Sequence, residues 1–302
     1  MEYEVFKKEV LEGLREICGD EVQIGLEKIL KNNGKHYDGI RIFADELDGR
    51  VCPAIPLQNF YGAYCEGDMS IAGCARAIYE MNEEYREMGG VSEMLQKIMD
   101  WEQVKKSIYP ILLSTEDNRE MFEKVVSIPM LDLSVAYIYR KEIDGRCASV
   151  KINYQMLEAY GISVEELHRQ ALENLADDGY CFRDIRSFVV EQVYGGSYEA
   201  DRQRDEQTED FYIYTNDSMY YGAAGILNRK QVRRFADGRD FYILPASIHQ
   251  TIFVPADGKK SVDFYRCIVK LVNEEELDIE EKLSNHVYFY DAGADEIKVC
   301  AG

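Results

Sequence analysis

The run LSVAYIYRKEIDGRCASVKI, Leu133 to Ile152, decides the fold. Val135 to Tyr139 and Val150 to Ile152 read as strands around Asp144-Gly145, a dipeptide suited to a tight hairpin. Ser163-Val-Glu-Glu166 then forms a capping box, in which the Ser hydroxyl and the Glu carboxylate serve each other's backbone N–H groups. It opens a helix with Leu167, Ala171, Leu172 and Leu175 on its core face.

The same order recurs further on. Phe211 to Tyr214 and Tyr220 to Leu227 read as strands around Asn216-Asp217, followed by a helix over Asn228 to Phe235. This suggests a repeated strand–strand–helix unit in the C-terminal half. Phe241 to Leu244 and Thr251 to Val254 are further strands. Ser261 to Asn273 is a helix with Phe264, Ile268 and Leu271 inward, and Val287 to Tyr290 and Ile297 to Val299 are the last strands. Hairpins outnumber strand–helix–strand crossovers. The fold class is therefore α+β, with mostly antiparallel sheets and helices packed on them.

Towards the N-terminus, Phe6, Val10, Leu14 and Ile17 recur at helical spacing up to Gly19. Val22 to Leu30 and Tyr37 to Phe43 flank Asn32-Asn33-Gly34, a strong hairpin signal. Pro53 and Pro56 interrupt regular structure. A helix begins near Ser70 with Ile71, Cys74, Ala75, Ile78, Met81 and Tyr85 on one face and ends at Gly89-Gly90. Another covers Ser92 to Lys106, and a short strand covers Ile108 to Leu113. The expected domains are residues 1–128, an αββ start plus helices, and residues 129–302, an α+β domain with an acidic loop at 199–210. That loop, Glu199 to Asp210, holds six acidic and two basic residues.

Charge excludes whole classes of partner. Lys plus Arg total 35 and Asp plus Glu 56, a net charge of −21. Phosphate backbones and anionic membranes are repelled by such a chain, so no direct nucleic-acid or membrane binding is expected, and a basic protein partner is. Glu199–Asp210 and Asn273–Lys282 are the clearest acidic clusters. The eight cysteines are dispersed without a Cys-x-x-Cys pair, which reads as reduced thiols rather than a disulfide framework or a zinc site. Met1 to Ile17 is charged and amphipathic, unlike a signal peptide, and Met219 to Leu227 is too short to span a bilayer. A cytoplasmic location follows as an expectation.

No phosphate-binding loop, Gly-x-Gly-x-x-Gly, His-Glu-x-x-His, Gly-x-Ser-x-Gly or deaminase zinc signature is present. No cofactor or metal is expected. Gly222-Ala-Ala-Gly225 reads as close packing in a sheet, and Asn216-Asp-Ser218 as a turn. Of four histidines, His36 reads as exposed, His168 as a surface helix residue, and His286 has no evident partner. His249 lies in Leu244-Pro-Ala-Ser-Ile-His-Gln-Thr-Ile-Phe-Val-Pro255, between a strand ending at Pro245 and one beginning at Thr251, where sites tend to be built. Ser247 and His249 are the candidate catalytic residues, a hydroxyl and an imidazole presented together. The bland alternative is that Ser247 caps the turn and His249 pins it by a backbone hydrogen bond.

Two stretches carry a resemblance. Tyr160-Gly-Ile-Ser-Val-Glu-Glu-Leu-His-Arg-Gln-Ala-Leu-Glu-Asn-Leu175 resembles the helix-opening motif of an uncharacterised bacterial family, domain of unknown function 1444, over roughly Leu131 to Glu275. Asp240-Phe-Tyr-Ile-Leu-Pro-Ala-Ser-Ile-His249 and Met219-Tyr-Tyr-Gly-Ala-Ala-Gly-Ile-Leu227 resemble a related family, domain of unknown function 5688, over nearly the whole chain. That second likeness implies a bacterial protein, often carried on mobile elements. It transfers no catalytic residue. The expected function is a non-enzymatic interaction or regulatory protein with an acidic docking surface. The alternative is a divergent enzyme or small-molecule-binding protein with a site near the Ser247–His249 turn.

Overall fold

Every strand pairing among the described residues is antiparallel. The computed structural model describes residues 1–19, 22–43, 54–87, 93–94, 96–143, 145–194 and 210–300. They form an α+β protein divided into two units, Met1–Met99 and Asp100–Gly302. The boundary expected at 128/129 moves forward because the Ile108–Ser114 strand pairs along its length with Leu133–Tyr139. Glu199–Asp210 lies outside the described residues except for Asp210, and no described helix is long and apolar enough to cross a membrane.

In the first unit, helix α1 (Tyr3–Cys18) is followed by a hairpin of β1 (Gln23–Leu30) and β2 (His36–Phe43), with β3 (Ile55–Pro56) beside β2. Asn33, at φ 55°, makes the turn that Asn-Gly sequences favour. Helices α2 (Gln58–Glu66) and α3 (Ile71–Glu87) follow. Phe6, Val10 and Leu14 of α1 meet Ile40 and Ile42 of β2 and Cys74, Ala75 and Ile78 of α3 in one core. Helix α2 was not expected, because Pro53 and Pro56 read as a break in regular structure ahead of its start.

The second unit carries two sheets. The smaller is built on β6 (Leu133–Ile143), with β4 (Ile108–Ser114) on one edge and β5 (Ser127–Met130) and β7 (Arg146–Lys151) sharing the other. Before it, the helix expected over Ser92 to Lys106 is broken. Asp100 is extended and its side chain caps a separate short helix, α4 (Trp101–Val104). A one-turn helix α5 (Arg119–Phe122) lies between β4 and β5. After β7 come α6 (Tyr154–Tyr160) and α7 (Val164–Ala176), the latter capped by Ser163 through the N–H of Glu166. The β5–β6 hairpin turns on Leu131-Asp132, and Leu131 sits at φ 59° with 47% of its surface exposed. A left-handed leucine costs energy that glycine avoids, so Leu131→Gly is expected to stabilise this unit by about 0.5–1 kcal/mol in urea unfolding.

The larger sheet runs β13-β12-β10-β11-β9-β8: Glu296–Val299, Tyr288–Asp291, Phe241–Ser247, Gln250–Pro255, Tyr212–Thr215 and Cys181–Asp184. Helix α8 (Ile185–Tyr194) follows β8, α9 (Arg229–Ala236) precedes β10, and α10 (Val262–Glu275) follows β11. Phe182 is sandwiched between Tyr214 and Phe235, its ring centroid 3.9 and 3.6 Å from theirs. Such pairs each contribute about 0.5–1.5 kcal/mol beyond simple burial.

Two expectations fail here. Tyr220–Leu227 is not a strand: Gly222–Leu227 is a 3-10 helix laid against the sheet, so the strand–strand–helix order does not recur. A Cβ at Gly225 would lie 2.6 Å from the Tyr180 ring and 2.7 Å from that of Tyr214, a closeness that belongs to backbone packed on the sheet. Helix α10 is also rotated from the expected face. Tyr265, Val269 and Asn273 are buried, while Phe264 is 42% and Leu271 61% exposed.

Candidate functional site

Pro245 has no N–H to give the ladder, and the register slips there: Pro245 pairs with Thr251, but Ser247 pairs with Gln250. The resulting bulge tightens the β10–β11 turn and leaves Ile248 and His249 at its tip. Four backbone-directed bonds hold that tip. Ile248 N–H donates to the Glu281 carbonyl at 2.8 Å, and Ala223 N–H to the Ile248 carbonyl at 3.2 Å. The Thr215 hydroxyl donates to the His249 carbonyl at 2.8 Å, and His249 N–H to the Ser247 hydroxyl at 3.0 Å.

The Ser247 and His249 side chains do not bond each other; each meets a backbone N–H, the cap-and-pin alternative. Ser247 Oγ is engaged by the backbone of the turn, and it is 5% exposed. His249 Nδ1 instead accepts the Tyr221 N–H at 3.1 Å. A backbone amide can only donate, so Nδ1 carries no proton and Nε2 carries it. Burial holds the imidazole below its ordinary pKa of 6.5, with Glu281 opposing in part. A neutral ring whose outward nitrogen is already protonated is a hydrogen-bond donor, not a general base.

Tyr221 reaches His249 through strained backbone. Met219 and Tyr221 sit at φ 49° and 53°, an arrangement costing about 1–3 kcal/mol per residue that persists only when its surroundings enforce it. Asn216, 2% exposed, does much of the enforcing. Its Oδ1 accepts from Tyr220 N–H at 3.1 Å and Ser218 Oγ at 3.2 Å. Its Nδ2 donates to Asp178 at 2.9 Å and to the Tyr220 carbonyl at 3.1 Å.

Beside the turn opens a cleft of about 440 Å³. Leu244, Pro245, Ala246 and Ile252 of the hairpin, Ile268, Val269 and Val272 of α10, and Leu277 and Met219 give it apolar walls. Ser247, His249, Gln250 and Glu281 supply its polar groups. Glu281 Oε1 stands 4.0 Å from His249 Nε2. Leu277 and Glu281 belong to the acidic cluster Asn273–Lys282, so that cluster and the candidate turn border the same space.

The remaining histidines fall elsewhere. His36 is exposed, as expected. His168 is half-buried and shares a 2.9 Å hydrogen bond with Tyr137, and burial lowers its pKa. His286 has a partner after all: its Nδ1 is 3.0 Å from Asp132, which also accepts from Ser284 at 2.6 Å and Tyr288 at 2.9 Å. Asp132 is remote in sequence and stood out by no spacing, and the same holds for Tyr221 behind His249 and Glu281 in the cleft. Among the described residues no group of three or more His, Cys, Asp or Glu side chains could hold a metal ion.

A pH dependence follows. The unfolded chain takes up protons on His249 and His168 at their ordinary pKa, while the folded protein resists. Stability is therefore full above about pH 6.5 and falls as pH drops below it. Urea midpoints measured between about pH 8 and about pH 5 should show this slope, and His249→Asn should make it shallower while leaving the His168 share.

No curated protein and no solved structure matches the chain. The family of unknown function DUF5688 matches over residues 3–292, nearly the whole length, and the chain belongs to that family.

Proposed function

We propose that this is a binding protein rather than a catalyst, and that its working site is the cleft between the β10–β11 turn and α10. One observation carries the reading: a concave apolar space of about 440 Å³ with few polar groups, within the size range of small-molecule sites. The engaged Ser247 hydroxyl and the Nε2-protonated His249 support binding over acyl transfer. The seven described cysteines are free thiols, which suits the cytoplasm as its place of work. The likeness of Leu131–Glu275 to the domain of unknown function 1444 family belongs to this proposal too, as a shared frame for the cleft.

The test is methyl-labelled NMR with a series of apolar small molecules. Shifts should cluster on Met219, Leu244, Ile252, Ile268 and Val272, and Val272→Asp should abolish them. Shifts scattered over the surface, or unaffected by that substitution, would sink the reading.

A second reading, an acidic docking surface for a basic protein, has its own support. Glu274, Glu275 and Glu276 are exposed at the end of α10, beside the exposed Leu271. An apolar peptide flanked by lysines should then bind with an affinity that falls as salt rises, and Glu274→Lys with Glu275→Lys should remove it.

A further inference from the structure

We propose that the ligand of this cleft is an apolar molecule ending in a hydroxyl, and that the hydroxyl bridges His249 and Glu281. This rests on the reading of the cleft as a ligand site and goes on to name what the site selects.

The selection begins at Tyr221. Its left-handed backbone aims an N–H at His249 Nδ1, which fixes the proton on Nε2 and makes that edge of the ring a donor. On the other side stands the Glu281 carboxylate, half-exposed, which can only accept. The two atoms are 4.0 Å apart, too far for a direct hydrogen bond. One oxygen making two hydrogen bonds of about 2.8 Å spans that gap at an angle of about 90°. A single atom that accepts from Nε2–H and donates to Oε1 therefore meets both groups at once.

Other head groups fail on one side. An ether oxygen accepts but gives Glu281 nothing. An ammonium donates but meets the Nε2 proton head on. A carboxylate accepts from His249 yet lies against the Glu281 charge. The alkyl body has Leu244, Ile252, Ile268 and Val272 to cover it.

The experiment is calorimetry and NMR titration of the full chain with octan-1-ol, octyl methyl ether, octanoate, octylammonium and octanamide. Octanol should bind about tenfold more tightly than the ether, the value of one hydrogen bond to a charged acceptor. Glu281→Leu should bring alcohol and ether to parity while both still bind, because the Glu281 backbone carbonyl that holds Ile248 is untouched. The ¹⁵N shifts of His249 should report an unprotonated Nδ1. Parity in the unaltered protein, tighter binding of octanamide or octanoate, or a protonated Nδ1 overturns the hydroxyl assignment and leaves the cleft standing. Failure of all five to bind overturns the cleft reading together with the assignment.

Discussion

Gly222→Ala is expected to destabilise the Asp100–Gly302 unit by about 3 kcal/mol and to remove ligand binding with it. A Cβ on Gly222 would lie 2.2 Å from Thr215 Oγ1 and 2.4 Å from the His249 carbonyl oxygen. The second of these is backbone and cannot swing away. Those two atoms are joined by a 2.8 Å hydrogen bond, so the added methyl would separate the bond that seats the β10–β11 tip on β9. Trp101 is the chain's single tryptophan and lies in this unit, 5.5 Å from the Tyr160 ring. Its fluorescence in urea follows the transition directly. Gly62→Ala, in the Met1–Met99 unit and followed there by circular dichroism, is the contrast. Nothing lies within 4 Å of that Cβ position and the residue is inside α2, so alanine there should be stabilising by about 0.5–1 kcal/mol. Equal effects from the two substitutions would mean that Gly222 is not a point of close approach.

That close approach shows what local sequence can and cannot convey. Gly222-Ala-Ala-Gly225 announces small residues under crowding, and crowding is what the structure has. The same tetrapeptide is silent on whether the backbone lies within the sheet or on top of it. Tyr220, Tyr221, Ile226 and Leu227 suggested a strand by composition. The sheet already has its neighbours, with β11 paired to β9 on one edge and β10 on the other. No edge was open to a further strand there, and tertiary pairing overrode β-propensity.

Hairpins were the legible part, because turn chemistry and strand length sit next to each other in the chain. Asn32-Asn33-Gly34 set the first register, with Leu30 opposite His36. Helix α10 was legible as a helix but not in rotation. Phe264, Ile268 and Leu271 form an apolar stripe at helical spacing, as do Tyr265, Val269 and Val272 beside it, and periodicity cannot rank two adjacent stripes. Of the stripe that reads as core, Ile268 borders the cleft, together with Val269 and Val272. The polar half of the site depended on distance in sequence: Tyr221 is 28 residues from His249. What sequence supplied was the turn itself, through Pro245 and the bulge it forces. Of the two readings the sequence offered for Ser247 and His249, the hydroxyl and imidazole follow the one in which they meet backbone and not each other.

Asp178→Ala is expected to cost about 3–5 kcal/mol, the effect of stranding a buried cation. Arg140 is 12% exposed, Asp178 10%, and the guanidinium grips both carboxylate oxygens while lying 3.8 Å over the Tyr109 ring. Replacing both partners by apolar residues, Arg140→Met with Asp178→Leu, removes the stranded charge, and stability should return to within about 1.5 kcal/mol of the starting protein. Recovery of the site should not follow. Asp178 also accepts from Asn216 Nδ2, and Asn216 holds the strained turn through Tyr220. In the double variant that amide loses its carboxylate acceptor while keeping the Tyr220 carbonyl, 3.1 Å away, so the Tyr221 N–H loses part of what aims it at His249. The ¹⁵N spectrum of His249 should then show a mixture of the two neutral tautomers, in a protein whose unfolding midpoint is nearly restored. A double variant that regains stability and keeps a single Nε2–H tautomer would mean that the β9–3-10 turn holds its strain without the buried pair. A shared loss would tie the ion pair of the smaller sheet to the donor in the cleft, giving Arg140–Asp178 a reason to exist that its own modest net stability does not provide.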